Sequence, residues 1–313
     1  MDFYQHVFAG NPLDRCEVER RDEDWIAEKA KDPDSRFLPM RGPNVLVNAD
    51  AAGNGEPALG WLTWQDLEPH VNGAAPLLLG LQDGATYFAI DLSADENAAV
   101  AVEAMGGYRF EEARAAAENL LSAPEAGIMA QGRAQVNWHN RHRFCSVCGY
   151  PTVVKRGGQK RECPACKAEH FPRTDPVIIM LVFDGDRCLL GQSRGRLQAM
   201  NRYSALAGFM DQGEAIEEAV AREVMEEAGI RVKNVRYHSS QPWPFPSSLM
   251  IGCHAEADTT GINMDDEEMT DVQWFNRSEV LLALEDKSEK LRLPGPIAIA
   301  HHLIKSWAYG EVS

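Results

Sequence analysis

Three glutamates lie close together in the run REVMEEAGI: Glu223, Glu226 and Glu227. On a helix, Glu223 and Glu227 are i and i+4, and Glu226 sits beside them at i+3, so three carboxylates gather on one side of the coil. Like charges spaced this way destabilise a helix by roughly 0.2–0.5 kcal/mol per pair. That cost is recovered if cations bind, and a site made only of oxygen ligands selects hard divalent ions, Mg2+ or Mn2+. The element that would carry the cluster can be traced in the sequence. Ile216, Val220, Val224 and Ala228 drift along one stripe at helical spacing, and the carboxylates border that apolar face. The helix is expected to begin at Glu214 and to end at Gly229, a natural left-handed terminator. Arg222 lies four residues after Glu218 and four before Glu226, the spacing at which it would pair with both. For REVMEE alone, a solvated acidic helix face is the plain alternative.

Four cysteines form a second set, spaced C-x2-C-x14-C-x2-C: Cys145, Cys148, Cys163 and Cys166. Each C-x2-C pair fits a tight turn that aims two thiolates at one ion, and four thiolates at ~2.3 Å complete a closed tetrahedral zinc site. Gly149, Gly157 and Gly158 suit the turns of a zinc-ribbon hairpin. With every position taken by protein, no place remains for a reacting water. The zinc, one per chain, is therefore expected to be structural and to fold a segment too small for a core of its own. The other three cysteines (Cys16, Cys188, Cys253) are scattered. An odd total with one tight cluster indicates a metal site in a reducing compartment and not a disulfide framework.

A third feature follows the carboxylates. SQPWPFPSS runs from Ser240 to Ser248, and its three prolines are expected to keep it extended and stiff. Trp243 and Phe245 are two apart, so in an extended chain they face the same way and offer a platform for a flat base or a nicotinamide ring. A rigid turn with two core aromatics is the alternative.

The rest of the chain must position these groups. It has 313 residues, room for two domains and a small module, and a hydrophobic fraction of 44% that can build ordinary cores. The longest apolar run, Val177 to Phe183, is far short of the ~20 residues of a membrane span. The N-terminal sequence MDFYQHVFAGNPLDR lacks a secretory pattern, and the C-terminal GEVS is not a peroxisomal address, so a cytoplasmic protein is expected. The formal net charge of -16 would repel anions unless cations or a basic pocket intervened. The one basic stretch, residues 131–175, has nine Lys and Arg against three acids and contains the cysteines.

An α+β organisation follows. Residues 1–135 read as an N-terminal α+β domain, with strands at Asn44 to Asn48, within PLLLGLQDG and at Ala85 to Asp91, and a helix from Glu111 to Ala123. Residues 140–172 form the ribbon. Residues 174–310 alternate strands and helices: a hairpin in PVIIMLVFDGDRCLLGQS, the carboxylate helix, strands near Val232 to Ser239 and Leu249 to Ala257, a QWFN strand, and a helix from Ile297 to Trp307.

From Gly208 to Ile230 the sequence matches G-x5-E-x7-R-E-U-x-E-E-x-G-U, with U a bulky aliphatic residue, at every defined position. It therefore resembles the Nudix hydrolases. The resemblance implies an α/β/α sandwich around a mixed sheet and metal-dependent cleavage of a nucleoside diphosphate. Taken with the ribbon and SQPWPFP, the chain is similar to the NADH pyrophosphatase subfamily, which includes NAD-capped RNA decapping enzymes, and FAGNPLDR resembles the opening of that subfamily's N-terminal domain. The resemblance implies a zinc-containing homodimer that cleaves NAD(H) to nicotinamide mononucleotide and AMP, with NAD-capped RNA as a further substrate. It assigns Glu223, Glu226, Glu227 and Glu268, with the Ala207 carbonyl, to two or three Mg2+ or Mn2+ ions. Glu227 is the candidate base and Glu268 the alternative, and Glu267 is hard to tell from Glu268 by sequence. Substrate contacts would come from Phe171, Phe209, the segment Gln241, Pro242, Trp243, Pro244, Phe245, Pro246, Ser247 and Ser248, and the backbone near Ala300. Phe171 stands where the subfamily often has Tyr, which puts a hydrogen bond there in doubt. Two other readings stay open: a Nudix hydrolase of another nucleoside diphosphate such as ADP-ribose, and a non-catalytic zinc-ribbon protein that binds nucleic acid.

Overall fold

The computed structural model describes residues 6–49, 57–71 and 73–312. Its contacts divide the chain into two compact units. One holds residues 7–174 together with Trp243–Ser247, and the other holds His6, Asp175–Pro242 and residues 248–312.

The first unit contains strands β1 (Arg36–Arg41), β2 (Asn44–Asn48), β3 (Ala58–Leu59), β4 (Leu77–Gln82), β5 (Ala85–Asp91) and β6 (Tyr108–Glu112). They form a sheet in the order β3-β2-β1-β5-β4, with β6 on β2 and β1 parallel to β5. Its helices are α1 (Glu23–Lys29), α2 (Trp64–Leu67), α3 (Glu96–Ala104), α4 (Ala113–Asn119) and α5 (Ala123–Arg141). The segment from Glu111 to Ala123, expected as one helix, is instead the end of a strand, a short helix and the start of a second helix. Glu111 and Glu112 end β6, and the Glu112 carboxylate accepts from the Ala115 N–H at 2.9 Å to open α4. The chain then breaks, and a capping box between Ser122 and Glu125 opens the much longer α5. Alanine-rich propensity cannot separate one helix from two, whereas the caps do. The ribbon adds β7 (Val153–Lys155), β8 (Lys160–Glu162) and β9 (Glu169–His170) as a three-stranded antiparallel sheet.

The second unit contains β10 (Asp175–Asp184), β11 (Arg187–Ser193), α6 (Arg196–Ala199), β12 (Leu206–Phe209), α7 (Ile216–Ala228), β13 (Val232–Trp243), β14 (Ser248–Ala257), β15 (Met269–Asn276), α8 (Arg277–Leu284) and α9 (Ile299–Ala308). The sheet runs β13-β14-β10-β11-β15, with β12 on β10 and β10 parallel to β14. The apolar run in β10 is explained by burial on both faces. Ile178, Met180 and Val182 share a core with Val220, Val224 and Ala228 of α7. The alternating Ile179, Leu181 and Phe183 share another with Leu303, Ile304 and Trp307 of α9. This is the α/β/α sandwich. Burying one valine is worth roughly 1.5–3 kcal/mol, so the apolar face of α7 outweighs the roughly 0.2–0.5 kcal/mol of each like-charge pair along its edge. The core, and not helix propensity, keeps the carboxylates on a helix.

Candidate active site

Helix α7 carries the carboxylates, and β12 lies beneath them. Glu223 and Glu227 are buried, at 8% and 6% exposure, while Glu226 is exposed. Burial, followed by the charges of Glu223 and Glu268, pushes the Glu227 carboxyl up to about 8. Burial also raises Glu223, against the pull of Arg222. Glu227 Oε2 has no hydrogen-bond partner, and the Ala207 N–H supports the carboxylate. Gly208 pairs with Ile178 in the sheet, and a Cβ there would stand 2.1 Å from the Glu223 carboxyl. The glycine lets the strand backbone lie against the buried carboxylate.

Arg222 organises the near side. Its Nε and Nη2 donate to the two oxygens of Glu214 at 2.6 and 2.9 Å. Its Nη1 donates to Glu223 at 2.8 Å and Glu226 at 2.9 Å, and Nη2 also reaches the Phe209 carbonyl at 2.9 Å. The expected pair with Glu218 is replaced by the one with Glu214, because Glu218 turns back to the Ala215 N–H at 2.8 Å in the first turn. Glu214 accordingly precedes the helix, which begins at Ile216, and Arg222 holds its carboxyl down at about 2.

On the far side, α7 ends at Gly229 in the left-handed conformation (φ 69°). A Cβ there would stand 2.6 Å from that of Asn263. The Asn263 N–H donates to the Ala228 carbonyl at 2.8 Å, and the Asp265 N–H reaches the Glu227 carbonyl at 3.4 Å. These bonds tie the loop before β15 to the end of α7. That loop brings the charge of Glu268 to bear on both Glu223 and Glu227. Glu267, its neighbour, spends its N–H on Asp265. The arrangement is a set of hard oxygen donors around one buried, unpartnered carboxylate oxygen, and it suits a divalent cation.

In the ribbon, the ligand atoms of Cys145, Cys148, Cys163 and Cys166 all lie within 4.8 Å of one another. Sulfur pairs stand at 3.6 Å (Cys145 and Cys166) and 3.4 Å (Cys148 and Cys163), near the ~3.8 Å edge of a tetrahedral zinc thiolate site. Two equivalent turns build it. The Gly149 N–H returns to the Cys145 carbonyl and the Lys167 N–H to the Cys163 carbonyl, each at 2.9 Å, with Gly149 and Lys167 at positive φ. His170 Nε2 lies 3.3 Å from Cys145 Sγ, a contact the cysteine spacing did not suggest. Among the described residues this is the one group of three or more potential metal ligands drawn so tightly together.

The proline-rich segment is only partly extended. β13 runs on through Trp243, and residues 244–247 then turn, closed by the Phe245 N–H on the Trp243 carbonyl at 2.8 Å. The two rings do not lie side by side on an open face. They meet each other edge-on at 5.3 Å, Phe8 packs edge-on against both, and the guanidiniums of Arg114 and Arg133 cover Trp243 and Phe245 at 5.1 and 4.7 Å. Gln241 is wholly buried, and both ends of its amide are used inside the protein. Ala300, in the first turn of α9, is buried in the core, whereas Phe171 and Phe209 are both 59% exposed.

Residues 172–293 match the NUDIX domain model, residues 140–171 the NADH pyrophosphatase zinc ribbon domain, and residues 34–138 the NADH pyrophosphatase-like rudimentary NUDIX domain. The chain is 37% identical to the NAD-capped RNA hydrolase NUDT12 of Macaca fascicularis, over 97% of this chain and 73% of that protein. This chain is a Nudix hydrolase. It is also 44% identical to the mitochondrial NAD(P)H pyrophosphatase NUDT13 of Mus musculus, over 60% of this chain and 56% of that one. The NAD-capped RNA hydrolase NudC of Mycobacterium bovis is 43% identical over 61% of this chain and 63% of its own length. As in the catalytic sheet of this Nudix hydrolase, the N-terminal sheet has six strands and a parallel pair, β1 and β5. Helix α1 of that unit carries three carboxylates (Glu23, Asp24 and Glu28) and α3, α4 and α5 no more than two each, and among the described residues none of them is drawn together as a group of potential metal ligands.

Proposed function

We propose that this Nudix hydrolase cleaves the diphosphate of NAD(H), giving nicotinamide mononucleotide and AMP, with Mg2+ or Mn2+ held by Glu223, Glu226, Glu227 and Glu268. The observation that carries the reading is Glu227: a buried carboxylate raised to about 8 by burial and by three neighbouring carboxylates, with one oxygen left without a partner. Such a group is costly in the protein alone and suited to a cation. A bound divalent ion supplies charge neutralisation of the diphosphate and a water of lowered pKa. Glu227 takes the proton of the attacking water, with Glu268 as the alternative base. Arg222 fixes Glu223 and Glu226 in place and ties Phe209 to the helix. The proposal includes two or three divalent ions per site, one structural zinc per chain, a homodimer, a cytoplasmic location, and domains at 1–135, 140–172 and 174–310.

The names of the relatives support a dinucleotide substrate over ADP-ribose, and they support NAD-capped RNA as a second substrate. A panel of NADH, NAD-capped RNA and ADP-ribose, compared by kcat/KM, tests the choice. The base is tested by Glu227→Gln assayed on NADH with saturating Mn2+. A loss of well over tenfold is expected, and activity within about tenfold of wild type would remove Glu227 from that role.

A further inference from the structure

Glu268 stands just before a strand, and the neighbouring strand controls how the chain reaches it. Strands β11 and β15 pair antiparallel, but their register slips: Gln192 is paired with Asp271, Ser193 with Met269, and Thr270 is the extra residue between them. The slip shows in the core. Met269 and Val272 are three residues apart, a spacing that puts side chains on opposite faces of a regular strand, yet both enter the core that α7 covers. The Thr270 hydroxyl pins the bulge by donating to the Gln192 carbonyl at 2.9 Å. A bulge re-aims the chain beside it, and here that chain is the one carrying Glu268.

Arg194, just past the end of β11, holds what lies beyond the bulge. Its N–H donates to the Glu268 carbonyl at 2.9 Å. Its Nε and Nη2 both donate to the Asp266 carbonyl, at 3.0 and 2.5 Å. The loop is thus held on two sides, by α7 through Asn263 and Asp265 and by Arg194 through Asp266 and Glu268. Arg194 reaches into a run of four acids, Asp265 to Glu268, and forms no ion pair among the described residues. A guanidinium on the Glu268 carboxylate would compete with a cation for the same oxygens. A guanidinium on a backbone carbonyl fixes the path of the chain and leaves the carboxylate to the cation.

We propose that Arg194 is a positioning residue for the metal site: it holds the Glu268 loop against the mutual repulsion of Glu223, Glu227 and Glu268, so that Glu268 is in place before a divalent ion arrives. The inference rests on the reading that Glu268 faces the catalytic ions. In this role Arg194 touches neither ion nor substrate and acts through Glu268.

The test is a double-mutant cycle on the full-length, zinc-loaded protein. Mn2+ binding is read by the electron paramagnetic resonance of the unbound ion, and NADH hydrolysis is followed as Mn2+ is varied. Arg194→Ala should weaken Mn2+ binding on the order of tenfold, the loss expected when the support of a ligand is removed. Its activity should be low at limiting Mn2+ and return towards wild type at saturating Mn2+, which a general loss of structure would not allow. Arg194→Lys keeps one donor for the Asp266 carbonyl and should recover most of the affinity. Glu268→Gln should weaken Mn2+ binding at least as much, and adding Arg194→Ala to it should change the affinity by less than about twofold. The proposal is overturned if Arg194→Ala binds Mn2+ as wild type does, or if the losses of the two single variants add in the double. It is also overturned if Arg194→Ala and Arg194→Lys lose affinity and thermal stability alike, since that outcome makes Arg194 a support of the fold and not of Glu268. If Glu268→Gln binds Mn2+ as wild type does, Glu268 is no ligand, and the reading beneath the proposal fails whatever Arg194→Ala does.

Discussion

Gln241 offers a sharp prediction because the structure gives it a job that competes with substrate contact. Its Nε2 donates to the Ile297 carbonyl and its Oε1 accepts from the Ile299 N–H, both at 2.8 Å. Ile299 is the first residue of α9, whose N-cap Ala298 has no side chain to cap it. Strand β13 therefore caps α9 from outside. Gln241→Ala strands two buried backbone groups, at about 1–3 kcal/mol each, and opens a cavity, so a cost of about 3–5 kcal/mol is expected. For a unit of this size the melting temperature should fall on the order of 10 °C. Gln241→Glu keeps the acceptor but buries a charge, and should be at least as harmful. Thermal unfolding followed by circular dichroism, together with NADH kinetics well below the transition, reads both roles. The lower Tm is expected with KM within about twofold of wild type. An unchanged Tm with a KM raised tenfold would show that Gln241 faces the substrate and not α9.

Four further outcomes follow from the carboxylate helix and the ribbon. Because burial lifts Glu227 from 4.5 to about 8, its folded state holds the proton more tightly than the unfolded chain does. Its contribution to metal-free stability is complete below pH 4.5 and is lost as pH rises through about 8, on the order of 4 kcal/mol in all. Thermal unfolding in chelator should show this loss in wild type and not in Glu227→Gln. At pH 7 the group is mostly protonated, so Mn2+ binding should release close to one proton, measured by calorimetry in buffers of different ionisation enthalpy; no release would contradict the assignment. Gly208→Ala should displace Glu223 and lower kcat at least a hundredfold while zinc content holds, and an active variant would mean that strand β12 yields easily. Cys163→Ser should lower bound zinc, seen by atomic absorption, and expose the ribbon to protease; full zinc content would dismiss the four-thiolate site.

The parts legible in the sequence were those whose chemistry and period are local. The carboxylates of α7, the apolar stripe behind them and the two C-x2-C turns each lie within a few residues, so spacing alone placed them. The hairpin of β10 and β11 was legible for the same reason. What sequence could not show was where a side chain goes when its partner is distant in the chain. Arg222 chooses Glu214 over Glu218 because Glu218 is drawn to the first turn of the helix. Gln241 is spent on a helix more than fifty residues away, and no local pattern signals that. Trp243 and Phe245 turn against Phe8, Arg114 and Arg133, since residues 244–247 curl where an extended chain was expected. Helix α5 was overlooked because two glycines and scattered polar residues blur its period, though the Ser122 and Glu125 capping box was there to be read.

Product analysis tests metal-dependent hydrolysis of a dinucleotide diphosphate most directly. The zinc-loaded protein is incubated with NADH and Mn2+, and the products are separated by chromatography. Reduced nicotinamide mononucleotide and AMP are expected in equal amounts, with none formed in chelator. Intact NADH in the presence of Mn2+, or cleavage that continues in chelator, would contradict it.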